Sequence, residues 1–180
     1  MEAVHDLDRQ LVSRWAGEVS GRIIDAGCGP GHWTDFVRSQ GCDVEGVDLV
    51  PALVEIARSR FLDVAFRVAT LDDLGVPDRS VSGILAWYSI IHTAPEDVPG
   101  ILGEFARCLP DGGSLLLGIF EGARVEPFPH AVTTAYFWSV EEISQRLADA
   151  GFRVEATESR VDPGNRPHAA LRARRVHLDK

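Results

Sequence analysis

Seven residues, Asp25-Ala26-Gly27-Cys28-Gly29-Pro30-Gly31, restrict this chain more than any other segment. They join a short apolar run, Arg22–Ala26, to a stretch from about His32 to Gln40 that reads as a helix. Glycines at alternate positions of a strand-to-helix turn let the backbone turn tightly and let a ligand approach it closely. An isolated loop of this kind is a weak signal. Here a second apolar strand, Asp43–Asp48, follows and ends on Asp48, 19 residues beyond Gly29. A carboxylate at that point can accept hydrogen bonds from both hydroxyls of a ribose. The spacing is GxGxG, whereas a dinucleotide fingerprint requires a further glycine at position 32, which is His32. Asp25, two residues before the first glycine, is badly placed beside a pyrophosphate and well placed beside an ammonium group.

Along the rest of the chain, strand-length apolar runs alternate with helical periodicity. Val4, Leu7, Leu11, Val12 and Trp15 recur at intervals of mostly three and four residues, which predicts an amphipathic N-terminal helix within residues 1–20. Pro51 sits just inside the next helix, where a missing N–H costs nothing. Val64–Val68 and Val81–Trp87 read as strands three and four, Glu96–Cys108 as a helix, and Ser114–Ile119 as strand five after the turn Leu109-Pro110-Asp111-Gly112-Gly113. Val140–Ala150 is a helix closed by Gly151, and Phe152–Glu158 and His168–Arg174 are the last strands. The alternation predicts an α/β fold, a doubly wound and mostly parallel seven-stranded sheet with helices on both faces. Ser159–Pro167 is too short for a crossover, so the last strand is predicted antiparallel. The stretch 121–139 shows no period and exceeds ordinary loop length, and is expected to form a lid-like loop.

A chain of 180 residues suits one domain, so 1–180 is read as a single unit. No apolar run approaches the roughly 18 residues that cross a bilayer, and the N-terminus has early acids and no apolar secretory core. Cys28, Cys42 and Cys108 are odd in number and lack CxxC spacing, which fits a reduced, cytoplasmic setting. A net charge of −9 disfavours duplex binding driven by phosphate neutralisation. Neither nucleic acid nor membrane is an expected partner, and monomer and homodimer both stay open. Residues 160–180 hold six basic side chains against two acidic ones. They form either a contact for an anionic partner or a charged terminal strand facing water.

Five segments give the chain a family likeness: IIDAGCGPGHWT at 23–34, VEGVDLV at 44–50, ILAWYSIIH at 84–92, LPDGGSLLL at 109–117 and LADAGFRVE at 147–155. With them the chain closely resembles the class I S-adenosylmethionine-dependent methyltransferases, specifically small bacterial methyltransferase domains. The resemblance covers nearly the whole chain; the first two segments are specific to the cofactor and the later ones mark the fold. It implies a Rossmann-like sheet, S-adenosylmethionine as cofactor and S-adenosylhomocysteine as product. It further implies that Asp25, Gly27, Cys28, Gly29 and Gly31 cradle the methionine end and that Asp48, with Leu49 beside it, holds the ribose. Ala69-Thr70-Leu71 would flank the adenine. Thr70 stands where many relatives carry Asp, so Asp72 or a backbone amide is left to make that contact. Trp33 and Trp87 pack either near the cofactor or in the core.

Open α/β sheets bind ligands at the carboxyl edge of their strands. Tyr88 and His92 follow strand four there and are the candidate catalytic groups, His92 as general base or else as a helix cap. An antiparallel last strand brings Arg166 and His168 to the same edge. His130 and Tyr136, with Phe137 and Trp138, either line a substrate pocket or anchor the 121–139 stretch. The expected substrate-binding set is therefore His92, His130, Tyr136, Arg166 and His168, with Arg166 offering a fork to an anionic substrate. His92, His130 and His168 are spaced 38 residues apart, which matches no metal motif, and no metal is expected. A nucleophilic role for Cys28 competes with its place in the loop. Strand four leads into Ala86-Trp87-Tyr88-Ser89 and lacks an Asn/Asp-Pro-Pro-Tyr signature, which argues against methylation of DNA bases. A small-molecule acceptor is expected, methylated on oxygen or nitrogen more readily than on carbon. Two rival readings remain: a fold relative that binds a nucleotide cofactor without catalysis, and a nicotinamide-dependent oxidoreductase, which needs the GxGxxG the chain lacks.

Overall fold

A computed structural model describes residues 6–130 and 133–177. After α1 (Asp6–Glu18), β1 (Ile23–Ala26), β2 (Val44–Asp48), β3 (Ala65–Val68), β4 (Gly83–Trp87) and β5 (Ser114–Glu121) alternate with α2 (His32–Ser39), α3 (Pro51–Arg60) and α4 (Val98–Cys108). A single 3-10 turn, Ile90–His92, follows β4. Then come β6 (Glu126–Pro129), β7 (Thr134–Trp138), α5 (Val140–Asp149), β8 (Phe152–Arg160) and β9 (His168–Arg175). Seven of these strands pair in the order β3-β2-β1-β4-β5-β9-β8, and β9 alone among them runs against the others. The doubly wound architecture and the reversed last strand expected from the sequence are both present. Residues 2–5 of the expected N-terminal helix, Val4 among them, lie outside the described residues.

Burial explains why these segments take these forms. β1 and β4 are buried at every position, as central parallel strands covered on both faces must be. β5 alternates: Leu115, Leu117 and Ile119 pack with Ile101 and Phe105 of α4 and Leu147 of α5, whereas Leu116 packs with Val12 and Trp15 of α1. The Trp15 indole N–H, inside that layer, donates to Ser114 Oγ at 2.8 Å, so its one polar atom is satisfied and α1 is fixed against the sheet centre. Burying a side chain of this kind stabilises by roughly 1.5–3 kcal/mol. α5 begins where Ser139 Oγ accepts the Glu142 N–H at 3.1 Å, and Gly151, at φ 84°, reverses the chain after it.

The stretch 121–139 corrects the expectation of an irregular, lid-like loop. β6 and β7 form an antiparallel hairpin, and Phe120 and Glu121 of β5 pair in parallel with Phe137 and Trp138. β4 stops at Trp87, opposite Gly118, and β9 fills the other edge of β5. The hairpin therefore continues the position of β4 beyond its carboxyl end, with Phe128, Ala135 and Trp138 buried in the main core. Residues 131 and 132, at its tip, lie outside the described residues.

Candidate functional site

The glycine loop closes on the end of β2 through its backbone. The N–H groups of Gly27 and Cys28 both donate to the Val47 carbonyl, at 2.8 and 2.9 Å. Asp48 completes the junction: Oδ2 accepts from Gly29 N–H at 2.8 Å and Oδ1 from Val50 N–H at 2.9 Å. Each oxygen keeps a further lone pair for a hydroxyl donor. Gly27, Gly29 and Gly31 hold φ of 82°, 53° and 87°, in the left-handed region. Their surroundings differ. A Cβ on Gly27 would stand 2.3 Å from Ser89 Cβ, and one on Gly31 2.8 Å from the Phe66 ring, whereas one on Gly29 meets nothing within 4 Å. Open space above Gly29 and a buried Ser89 Oγ without a hydrogen-bond partner among the described residues mark this as a cradle.

Asp25, the third residue of β1, is 1% exposed, and its Oδ2 accepts the Thr34 hydroxyl at 2.6 Å. Burial, aided by the Asp48 charge, raises its pKa to about 7. Cys28 turns its side chain into the small cluster of Val54, Ala57 and Phe66. Burial and the charges of Asp25 and Asp48 push its thiol well above the ordinary range, which disfavours the thiolate a nucleophile needs.

Ala69 N–H donates to the Asp48 carbonyl at 3.1 Å, which sets Thr70 and Leu71 beside the end of β2. Leu49, Val50 and Val68 crowd that end and are 63%, 44% and 48% exposed, an unusual clustering of open apolar surface. Trp33 and Trp87 meet edge to face, with centroids 5.5 Å apart, and both belong to the layer under α1 and α2. Trp87 is 9% exposed and stands at the end of β4, where it closes the core at the carboxyl edge of the sheet.

Tyr88 follows with φ of 55°, a conformation that L side chains adopt at a cost of order 1–3 kcal/mol and that concentrates at functional positions. Its hydroxyl lies 2.7 Å from His168 Nδ1 and its ring stacks on Phe120 at 5.0 Å. His92 Nδ1 lies 3.1 Å from the Thr134 carbonyl, which requires the proton on Nδ1 and leaves Nε2 basic. His130 sits 5.1 Å from His92 and 5.7 Å from Phe120, and Arg166 lies over Phe128, which in turn touches His130. Four of the five residues expected around a substrate, His92, His130, Arg166 and His168, thus share one aromatic cluster. Tyr136 does not: strand alternation puts it on the face of the hairpin opposite Phe128 and Phe137. Among the described residues no group of histidine, cysteine or carboxylate side chains is placed to hold a metal.

The sequence reading passed over Ser89, Phe120, Arg160, Asp162 and Asp8. Arg160 Nη2 pairs with Asp8 at 2.9 Å and Arg160 Nε with Asp162 at 2.6 Å, tying α1 to the turn after β8. The direction of β9, which placed His168 at the carboxyl edge, also places the preceding turn there; that signal was available. Between α1 and the end of β4 lies a recess of about 330 Å³, lined by Leu7, Leu11, Trp87, Tyr88, Arg160 and His168 among others.

The chain is similar to several known proteins. The demethylmenaquinone methyltransferase of Tropheryma whipplei is 32% identical over 126 residues, 67% of this chain and 52% of that protein. The chain spans about half the length of the curated relatives it matches. A solved 1,6-didemethyltoxoflavin-N1-methyltransferase of Burkholderia thailandensis, with bound 1,6-didemethyltoxoflavin and S-adenosylhomocysteine, superposes with a TM-score of 0.82 at 22% identity over 98% of this chain and 80% of that one. The solved cyclase SpnF has the same fold, with a TM-score of 0.78 at 20% identity over 95% of this chain and 80% of that one. The methyltransferase-domain family model matches residues 3–157, the segment that carries the glycine loop, Asp48 and the Tyr88 edge, and the chain belongs to that family.

Proposed function

We propose that the chain transfers a methyl group from S-adenosylmethionine to a small-molecule acceptor, on oxygen or nitrogen in preference to carbon. The observation that carries this reading is the junction of Asp48 with Gly29, beneath open space in the glycine loop. The residues present suit the donor part by part. Asp48 retains lone pairs for the ribose hydroxyls, Asp25 is a buried carboxyl suited to an ammonium group, and Ser89 Oγ is an unused polar atom at the cradle wall. Leu49, Val50 and Val68, with Thr70 and Leu71, offer an apolar rim to the adenine. Bound there, the donor supplies an electrophilic methyl carbon and a sulfur leaving group. The chain's own residues then align the acceptor, exclude water and take its proton.

The quinone and toxoflavin methyltransferases among the similar proteins support a small organic acceptor. The Arg166 fork expected for an anionic substrate lies against Phe128 at 4.7 Å, at the outer side of the cluster. Among the described residues no helix is long and apolar enough to cross a membrane. A second reading, cofactor binding without methyl transfer, is favoured by one observation, the cyclase with the same fold. Purified protein incubated with labelled donor and a panel of phenols, amines and acids separates the two. Label transfer to any of them supports the first reading, and tight donor binding without transfer supports the second.

Replacing Asp48 by alanine should weaken S-adenosylmethionine binding by roughly 1.5–3 kcal/mol, the range for hydrogen bonds to a charged group. Titration calorimetry measures it, with thermal melting to confirm a folded variant. Unchanged affinity would remove Asp48 from the donor site.

A further inference from the structure

A chain of polar side chains leads away from the recess under α1. His168 Nδ1 lies 2.7 Å from the Tyr88 hydroxyl, and its Nε2 faces Asp162 Oδ2 at 3.8 Å. The same carboxylate oxygen accepts from Arg160 Nε at 2.6 Å, and Arg160 reaches Asp8 of α1. His168, Asp162, Arg160 and Asp8 have side chains between 15% and 19% exposed. Two acids therefore face one arginine next to the imidazole, a balance that favours a proton arriving on it. The left-handed backbone at Tyr88 fixes the ring between Trp87 and Phe120, with its hydroxyl toward His168. Leu7, Leu11 and Trp87 give the recess apolar walls. Both arginines that line it are committed, Arg14 to Glu158 at 3.0 Å and Arg160 to its two acids.

We propose that the acceptor is an uncharged, flat hydroxyl compound, a phenol or an enol, which binds in this recess and loses its proton through the Tyr88 hydroxyl to His168. The inference rests on the donor reading above. As the acceptor oxygen bonds to the methyl carbon, its proton passes to Tyr88 Oη and the tyrosine proton passes to His168 Nδ1. One O–C bond forms and one C–S bond breaks, its electron pair staying on sulfur. The positive charge lost from the sulfonium reappears on the imidazolium, and tyrosine ends neutral as it began. His92 is the rival at this edge, since its Nε2 is basic, but it does not line the recess.

The test uses 4-nitrophenol, whose phenolate is read by its colour, titrated with pH in the presence of protein saturated with S-adenosylhomocysteine. The groups around His168 include Tyr88 after β4, Arg160 at the end of β8, Asp162 in the turn after it and Asp8 from α1, with Arg14 and Glu158 at the rim. The bound phenol should ionise at a pH at least about one unit lower than in free solution. His168→Gln still accepts the Tyr88 hydrogen bond yet cannot take the proton, so the shift should vanish while the probe stays bound. Tyr88→Phe should remove it too and should lower turnover of any accepted phenol about 10²–10⁴-fold. The proposal is overturned if the probe does not bind, if its ionisation is unshifted in the parent protein, or if the shift survives in His168→Gln. It is equally overturned if 4-hydroxybenzoate, the charged analogue, binds more tightly, or if His92→Ala alone abolishes the shift. Should His168→Gln fail to fold, Tyr88→Phe carries the same readout. Calorimetry with S-adenosylhomocysteine is run on every protein, so loss of the donor site is told apart from loss of the proton path.

Discussion

Gly29→Val is expected to give a folded protein that no longer retains S-adenosylmethionine, whereas Gly27→Val is expected to destabilise the fold by roughly 2–5 kcal/mol. The two glycines are two residues apart and both have positive φ, 53° at Gly29 and 82° at Gly27. Left-handed backbone alone costs a side chain about 1–2 kcal/mol at either position. The surroundings decide the rest. At Gly27 the new Cβ would stand 2.3 Å from Ser89 Cβ, so the loop and the turn after β4 would have to part, adding roughly 1–3 kcal/mol of overpacking. At Gly29 no atom lies within 4 Å of the new Cβ, and the proposed donor site would fill that space. Donor affinity should fall by more than about 2.7 kcal/mol, a hundredfold. Circular dichroism melts and calorimetry with S-adenosylhomocysteine give the two readouts. If Gly29→Val binds as the parent does, the loop is not the donor site. If it melts as Gly27→Val does, Gly29→Ala, with a smaller steric load, repeats the comparison.

That contrast was half legible in the sequence. The loop announces itself locally, through glycines between a strand and a helix, and Asp48 is found by counting to the next strand end. Which glycine faces open space and which faces Ser89 depends on a contact across 62 positions, and no period or turn signal encodes it. The β6–β7 hairpin was missed for a related reason. Its first strand reads Glu126-Pro127-Phe128-Pro129, and two prolines argue against a strand wherever both edges must pair. β6 is the outermost strand of its side of the sheet and among the described residues pairs only with β7, so prolines are tolerated there. With the hairpin unseen, the face of Tyr136 was a guess between two, because one step of register exchanges the faces. His168 was placed correctly because direction is a matter of linker length: Ser159–Pro167 cannot cross over, so β9 must begin where β8 ends. Its bond to Tyr88, across 80 positions, had no sequence signal at all.

Asp25 carries the last consequence, a dependence of stability on pH that runs opposite to the usual carboxylate. A salt-bridged carboxylate has a depressed pKa and loses its contribution in acid. Burial raises Asp25 from 3.8 to about 7, so the folded chain holds this proton more tightly than the unfolded chain does. The contribution is therefore complete below about pH 4 and is lost as pH rises through 7. At 1.36 kcal/mol per pKa unit, the loss is on the order of 4 kcal/mol. Asp25→Asn keeps an oxygen for the Thr34 hydroxyl but has nothing to ionise. The difference in unfolding free energy between the two proteins, measured by urea titration at pH 5 and pH 8, should move toward the variant by about 2–3 kcal/mol, the rest being lost already between pH 4 and pH 5. In the donor-bound protein an ammonium group near Asp25 would favour the ionised form, so binding near pH 6 should release a proton. Calorimetry in buffers of different ionisation enthalpy detects that release, and Asp25→Asn should abolish it. A stability difference that does not change with pH would show that the carboxyl stays ionised in the fold. Proton release undiminished in Asp25→Asn would assign the ammonium to another partner.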